Sequence, residues 1–230
     1  MATDVSLADG LVFVLIAVAR LAVPLVIPRY PLPGIVAALV LDGLDQSIFQ
    51  QFTALPLDGY QGYDKALDIY YLSIAYISTM CNWEDRFAFQ LSRFLFYWRL
   101  VGVALFEVTQ FRPLLLIFAN TFEYFFIFYE VCRLRWAPGR LGRGQLAGAA
   151  AAIWVFIKLP QEYWIHIAQL DTTDWLKVNL FGVTADAAWP EALAGRPGIT
   201  AAAAVLAVLL VAGLVVAVRW AVRRLPPSDC

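Results

Sequence analysis

Residues 200–218 read TAAAAVLAVLLVAGLVVAV, which is 19 consecutive positions without a charged or an aromatic side chain. A helix of about 20 apolar residues crosses the hydrocarbon core of a bilayer, which is roughly 30 Å thick. The segment therefore predicts a transmembrane helix, in the simplest case one that faces lipid or acts as an anchor. Small residues such as Gly213 would let this helix pack closely on a neighbour.

The rest of the chain has the same apolar character. Of its 230 residues, 61% are hydrophobic and 15% are charged, whereas soluble domains have roughly 45–50% and about 25%. The net charge of −1 offers no broad basic surface, which excludes nucleic acid as a partner and leaves the lipid bilayer as the expected one. No polar block is long enough to be a soluble domain, so we predict one all-α transmembrane domain over residues 1–230.

Apolar runs of the required length place the individual spans. We predict spans at 9–28, 66–83, 88–109, 112–132, 146–168 and 199–222. The segment 33–54 is open, because Asp42 and Asp45 interrupt an otherwise apolar run. It is either a full span or a helix that enters and leaves on one side. The expected fold is therefore a polytopic helix bundle with six or seven spans.

The distribution of arginine predicts the orientation, because cytoplasmic loops are rich in Lys and Arg. Clusters of arginine follow the spans that end near 132 and 222: Arg133, Arg135, Arg140 and Arg143, then Arg219, Arg223 and Arg224. The loop after residue 132 and the C-terminus should therefore both be cytoplasmic. The acidic segment 169–198 should lie outside. The N-terminus carries no early cation, so the rule favours seven spans. A preference for Arg over Lys, with many Ala, is typical of a GC-rich bacterium and predicts a bacterial plasma membrane.

Several predicted spans contain charged residues, each of which costs about 2.5–3.5 kcal/mol to insert. Eight of them are candidates for an ion or proton path: Asp42, Asp68, Arg99, Glu107, Glu123, Lys158, Glu162 and His166. By position, one group lies near mid-depth and a more acidic group, which also includes Asp45, lies nearer the outside. The alternative is structural: Arg99 and Lys158 pair with Glu123 and Asp42 to fix the bundle, and the outer acids are hydrated at the interface.

Two spans place polar side chains on one helical face. In 66–83 the polar residues Asp64, Asp68, Tyr71, Ser78 and Asn82 follow steps of three or four, with Ala75 between them, and this face should point into the bundle.

In 146–168, Lys158, Glu162 and His166 are spaced by four. Pro160 removes a backbone donor and predicts a kink beside this row. A metal would need a third ligand from another helix, and the chain has one histidine, so we predict a Glu162–His166 hydrogen bond and no metal site.

The sequence leaves three functions open. It has no GxxxxGK, HExxH or GxSxG motif, and the residues do not identify a cofactor. The first hypothesis is a channel or transporter for protons, cations or a small cationic solute. The second is a non-catalytic structural subunit, which would bind other membrane subunits or copies of itself. The third is an intramembrane enzyme that acts on a lipid, with Glu162 and His166 as general acid and base.

Overall fold

The computed structural model describes residues 7–53, 60–135, 141–168, 170, 172–185, 187 and 189–224. Within these residues every regular element is helical, which confirms the all-α fold class. The α-helices are α1 Leu7–Ala22, α2 Pro31–Phe52, α3 Tyr60–Asn82, α4 Arg86–Thr109, α5 Pro113–Ile117, α6 Thr121–Arg135, α7 Arg143–Ala152, α8 Leu159–Glu162, α9 Thr172–Leu176, α10 Trp189–Gly195 and α11 Pro197–Arg224. A 3-10 turn covers Val23–Val26, and π-helical turns cover Ile153–Lys158, Tyr163–Ile167 and Lys177–Phe181.

Local sequence signals explain where helices begin and end. Pro31 opens α2, where its fixed φ suits the first turn and its missing N–H is not needed. Asp85 caps α4, because its carboxylate accepts from the backbone N–H groups of Phe87 and Ala88 at 2.8 and 3.1 Å. At the other end of α4, Gln110 takes a left-handed conformation with φ of 55° and terminates the helix.

Helices α1 and α3 run side by side in the same direction. The Tyr70 hydroxyl donates to the carbonyl of Leu21 at 2.8 Å. Twelve residues further along α3, the Asn82 amide donates to the carbonyl of Pro28 at 3.0 Å. In the second contact both residue numbers are higher than in the first. The two helices are therefore parallel, and their starts lie at the same end of the molecule.

Helix α2 returns between them in the opposite direction. At its start, Gly34 lies so close to Ile27 that an added Cβ would stand 2.7 Å from the Ile27 Cα. Near its end, the ring of Phe49 stacks on that of Phe13 at 5.7 Å between centroids. Residues Pro31–Phe52, which hold most of the open segment 33–54, therefore form one continuous helix that runs antiparallel to α1.

The core is largely aromatic and joins α3, α4 and α6. Tyr76 stacks on Phe96 at 4.7 Å between ring centroids, and Phe96 meets Phe122 edge-on at 5.7 Å. Trp83 packs on Tyr129 at 4.1 Å. All five side chains are buried, so Phe122 and Tyr129 of α6 serve packing.

Two helical segments in the described part of the chain are long and apolar enough to cross a membrane, Asp9–Val26 and Pro113–Arg135. A third exists if α10 and α11 count as one broken span, since the pair Trp189–Gly195 and Pro197–Leu209 is bent by 112°. These segments overlap the predicted spans 9–28, 112–132 and 199–222. The remaining spans and the cytoplasmic C-terminus stay predictions.

Candidate functional site

A polar cavity of about 150 Å³ lies between α2, α3, α4, α6 and the helix that runs from α7 to Ile167. Its lining consists of Leu39, Asp42, Asp64, Lys65, Asp68, Tyr71, Arg99, Asn120, Glu123, Lys158, Gln161, Glu162, Ile165 and His166. Five carboxylates face three cations and one imidazole, so the formal charge of the lining is −2 with His166 neutral. An unbalanced charge away from water is unfavourable, and it has to be neutralised by protons or by a bound cation.

Seven of the eight path residues predicted from sequence line this cavity. The exception is Glu107, which is exposed on α4. Eight residues separate it from Arg99, which is about 12 Å along a helix. That distance places Glu107 beyond the cavity, although the two residues belong to the same predicted span.

Behind one wall lies a charged residue that sequence reasoning missed. The guanidinium of Arg20, which is 3% exposed, contacts the carboxylates of Asp42 and Asp45. It also lies 3.0 Å from Asp64 and 3.5 Å from Asp68. A signal was present, because an arginine inside an apolar run needs carboxylate partners, and α2 and α3 each carry two aspartates one helical turn apart.

Three of these aspartates form a compact group of oxygens. One carboxylate oxygen from each of Asp42, Asp64 and Asp68 lies within 4.8 Å of the other two. All three side chains are partly accessible and line the cavity, whereas Asp45 is fully buried behind them. The sequence predicted no metal site because Glu162 and His166 would need a third ligand from another helix. The group of three aspartates differs from that pair, since it joins α2 and α3.

On the opposite wall, Glu123 lies at the centre of a second network. Its Oε2 atom accepts from the Tyr71 hydroxyl at 2.6 Å and from the Asn120 side-chain amide at 2.8 Å. The Lys158 ammonium lies 3.9 Å from Oε1 and 4.1 Å from the centroid of the Tyr124 ring. One carboxylate oxygen is thus fully bonded and the other has only a long ion pair.

Glu162 anchors a third group. It accepts from the backbone N–H of Asn120 at 3.2 Å, and it lies 3.0 Å from Nε2 of His166 and 3.8 Å from Nη1 of Arg99. The structure therefore pairs Arg99 with Glu162 and Lys158 with Glu123. The predicted structural pairing joined Arg99 and Lys158 to Glu123 and Asp42. The structure differs from it at Arg99, which pairs with Glu162, and at Asp42, which pairs with Arg20.

The predicted span 112–132 is not one uninterrupted helix, because α5 ends at Ile117 and α6 begins at Thr121. The break exposes backbone groups to charged side chains: Arg99 donates to the Phe118 carbonyl at 3.4 Å, and the N–H of Asn120 faces Glu162. Gly102 makes room for the break, since a Cβ there would lie 2.0 Å from the Phe118 Cβ. Discontinuous helices with exposed backbone ends are typical of ligand sites inside membrane proteins.

The helix that carries Lys158, Glu162 and His166 departs from α geometry on both sides of Pro160. π-Helical turns over Ile153–Lys158 and Tyr163–Ile167 flank the short α8. A wider turn accommodates the missing proline donor, and π-turns are frequent at functional sites. The distortion keeps all three side chains in the wall of the cavity.

Five buried polar atoms of the lining make no hydrogen bond within the described part of the chain: Asp68 Oδ1, Arg99 Nε, Asn120 Oδ1, Glu123 Oε1 and Gln161 Oε1. An unsatisfied buried polar group costs about 1–3 kcal/mol. Such groups are normally satisfied by ordered water, an ion or a ligand. The cavity is therefore built to hold a polar occupant.

No known family matches the sequence, and no curated protein or solved structure is significantly similar to it.

Proposed function

We propose that the protein is a multi-pass membrane transporter or channel that moves protons or cations through this cavity. The first support is the distribution of side chains: charged ones are buried and large apolar ones are exposed, the reverse of a water-soluble protein. In the part of the chain that the structure describes, eight charged side chains are buried: Arg20, Asp45, Lys65, Arg99, Glu123, Glu130, Lys158 and Glu162. Large apolar side chains are exposed instead, including Leu15 at 69%, Val108 at 84%, Phe156 at 78% and Val208 at 67%. Water would disfavour both features, whereas a bilayer accounts for both.

The lengths of the helices support seven spans. Helices α2, α3 and α4 contain 22, 23 and 24 residues, or about 33–36 Å at 1.5 Å per residue. Each is long enough for a hydrocarbon core of roughly 30 Å. Helix α2 directs Asp45 inward to Arg20 and exposes Val40 and Leu44 at 43% and 51%. A spanning α2 places the N-terminus outside and the C-terminus in the cytoplasm, as the arginine distribution favours.

The single observation that carries the proposal is the negative excess of the lining. Among the described residues, five carboxylates and three cations line one small space. A cleft lined by one sign of charge attracts ions of the opposite sign. Asp42 and Asp64 remain 23% and 32% exposed, so the acidic wall is partly accessible. Glu123 and Glu162 lie deeper, at 3% and 4%.

The ion pairs of the inner wall are suited to exchange. Lys158–Glu123 and Arg99–Glu162 are separated by 3.9 and 3.8 Å, which is beyond hydrogen-bond length. Each carboxylate is also bonded to neutral donors from Asn120. A proton or cation can therefore replace the basic partner without leaving the carboxylate unsatisfied.

Flux measurements on purified protein in liposomes test the proposal. We expect proton or cation flux, and we expect Glu123→Gln and Glu162→Gln to abolish it when the rate is counted per folded molecule. Glu107→Gln is the matched control, since it removes an acid from α4 outside the cavity, and it should keep the wild-type rate. Absence of flux for protons and for monovalent and divalent cations in folded wild-type protein would show that the proposal is wrong.

The mass of the assembly in mild detergent tests the competing subunit hypothesis. A transporter should purify alone or as a homo-oligomer and remain active. Co-purification with other proteins in fixed ratio, combined with inactivity of the isolated chain, would instead favour a non-catalytic subunit.

A further inference from the structure

We infer that Asp42, Asp64 and Asp68 form a site for a hydrated divalent cation of the Mg²⁺, Mn²⁺ or Ca²⁺ class. The inference deepens the proposed function, on which it rests for the idea that the ion moves; binding itself does not require transport. Hard divalent cations take oxygen ligands at about 2.0–2.6 Å, so oxygens that share one ion lie about 3–5 Å apart. The oxygens of the three carboxylates already lie within 4.8 Å of one another.

The local charge favours a divalent ion. Among the described residues, Arg20 is the cation that contacts all four carboxylates of this cluster, whose formal charge with every carboxylate ionised is −3. Like charges this close repel strongly when they are shielded from water. Asp45 is buried against Arg20, but the other three side chains are 16–32% exposed and face the cavity. A divalent cation on their cavity side would cancel most of the excess.

A second observation, independent of the aspartates, comes from the opposite wall. Glu123 Oε1 and Asn120 Oδ1 line the same cavity and make no hydrogen bond within the described residues. Their residues are only 3% and 4% exposed. Both atoms can only accept. The Lys158 ammonium is 3.9 Å from Glu123 Oε1, which is beyond hydrogen-bond length, so a donor in the cavity would complete the bonding of both atoms. Water molecules held by a metal ion are such donors, and Mg²⁺ in particular keeps several of its waters in protein sites.

The size and the chemistry of the cavity identify the class of ion. A volume of about 150 Å³ has room for an ion and several waters. The available ligands are carboxylate and amide oxygens, which suit Mg²⁺, Mn²⁺ and Ca²⁺. Softer ions such as Zn²⁺ or Cu²⁺ would favour imidazole or thiolate, and the one imidazole in the lining already lies 3.0 Å from Glu162.

Mn²⁺ is the probe for the test, because its free concentration is read directly by electron paramagnetic resonance. Full-length protein in detergent should bind one Mn²⁺ per chain, and excess Mg²⁺ should displace it. Asp64→Asn and Asp68→Asn should each weaken binding at least tenfold. Glu107→Gln has the same change of charge outside the cavity and should bind Mn²⁺ like the wild type.

Folding is monitored in parallel by size exclusion and thermal unfolding. Asp64 has the most exposed side chain of the three, at 32%, so Asp64→Asn is the variant that should fold even if Asp68→Asn does not. Mn²⁺ should raise the melting temperature of the wild type and leave that of Asp64→Asn unchanged. Binding that is absent from folded wild type, that survives in Asp64→Asn, or that Glu107→Gln weakens equally would overturn the inference.

The two proposals fail separately. Stoichiometric Mn²⁺ binding without any ion flux would show that the transporter proposal is wrong and would support the metal site. Proton flux without Mn²⁺ binding would show that the metal-site proposal is wrong and would support the transporter.

Discussion

The Arg20 guanidinium and the Asp64 carboxylate meet at 3.0 Å, although 44 positions separate them and they belong to the two parallel helices α1 and α3. The contact closes a triangle, because α2 supplies Asp42 and Asp45 to the same guanidinium. Arg20 therefore meets its carboxylate partners only once the first three helices have assembled. This cluster is both the electrostatic centre of that half of the bundle and the back wall of the cavity.

Removal of the guanidinium should destabilise the protein strongly. Arg20→Gln leaves four carboxylates without their cation, and loss of one partner of a buried ion pair costs about 3–5 kcal/mol. We expect a lower melting temperature in detergent and poor recovery of monodisperse protein. Arg20→Lys keeps the charge but loses the planar fork, so its stability should be intermediate.

Two further variants show whether the effect is electrostatic. Arg29→Gln removes an exposed arginine from the loop after α1 and should leave the melting temperature within a degree or two of the wild type. Asp45→Asn, added to Arg20→Gln, removes one of the buried carboxylates that faced Arg20 and should restore part of the lost stability. If the double variant is no more stable than Arg20→Gln, repulsion among the aspartates is not the cause.

A side chain at position 102 should collapse or displace the break between α5 and α6. Gly102→Val places its Cβ where the Phe118 Cβ stands, at 2.0 Å. Overpacking of this kind typically costs about 1–3 kcal/mol. Because the moved segment carries Asn120, we also expect flux and Mn²⁺ affinity to fall. Gly148→Ala in α7 meets no atom within 4 Å and should change neither stability, flux nor Mn²⁺ affinity. Equal losses in both variants would contradict this account.

The sequence predicts which residues share a face better than it predicts their partners. Helical spacing alone groups Lys158 with Glu162 and His166, and all three line the cavity. The partner of each charge depends on which helices are adjacent, a long-range property that no spacing encodes. Asp42 was therefore assigned to a lysine or arginine of α4 or of the helix after α7, whereas its partner is Arg20 of α1.

Some local features also lack a sequence signal. The break between α5 and α6 falls at 118–120, which read FAN and contain neither glycine nor proline. The feature that permits the break is Gly102, on another helix. Pro160 predicted a distortion, but the π-helical turns on either side of it depend on how the wall packs around the cavity.

The Lys158–Glu123 pair should show strong coupling in a double-mutant cycle. Lys158→Met leaves a buried carboxylate without its cation, and Glu123→Gln leaves a buried ammonium without its anion, so each single variant should lose about 3–5 kcal/mol of stability. The double variant restores neutrality and should be more stable than Lys158→Met alone.

Chemical or thermal unfolding of the three variants measures the coupling. Strictly additive losses would mean that the 3.9 Å pair contributes little. Flux should stay abolished in the stable double variant, because it lacks the Glu123 carboxylate.

Glu130→Gln provides a contrast on the same helix. Glu130 is fully buried seven residues after Glu123, where it accepts from the Trp83 indole at 2.6 Å and from Arg133 at 2.8 Å. It does not line the cavity. We expect the variant to be less stable than the wild type, yet to retain Mn²⁺ binding and flux in proportion to the folded fraction. Loss of flux per folded molecule would extend the ion path to this end of α6.

Labelling from the two sides of the membrane can show whether α2 spans. Tyr30 precedes α2 and Thr53 follows it, so a spanning helix separates them by the full bilayer. A membrane-impermeant maleimide should label Tyr30→Cys only in inside-out vesicles and Thr53→Cys only in right-side-out vesicles, relative to the reactivity of wild-type protein. A helix that enters and leaves on one side would label both variants in the same vesicles. That result would reduce the bundle to six spans and place the Arg20 cluster near the membrane surface, where water would screen its negative excess and weaken the case for a bound cation.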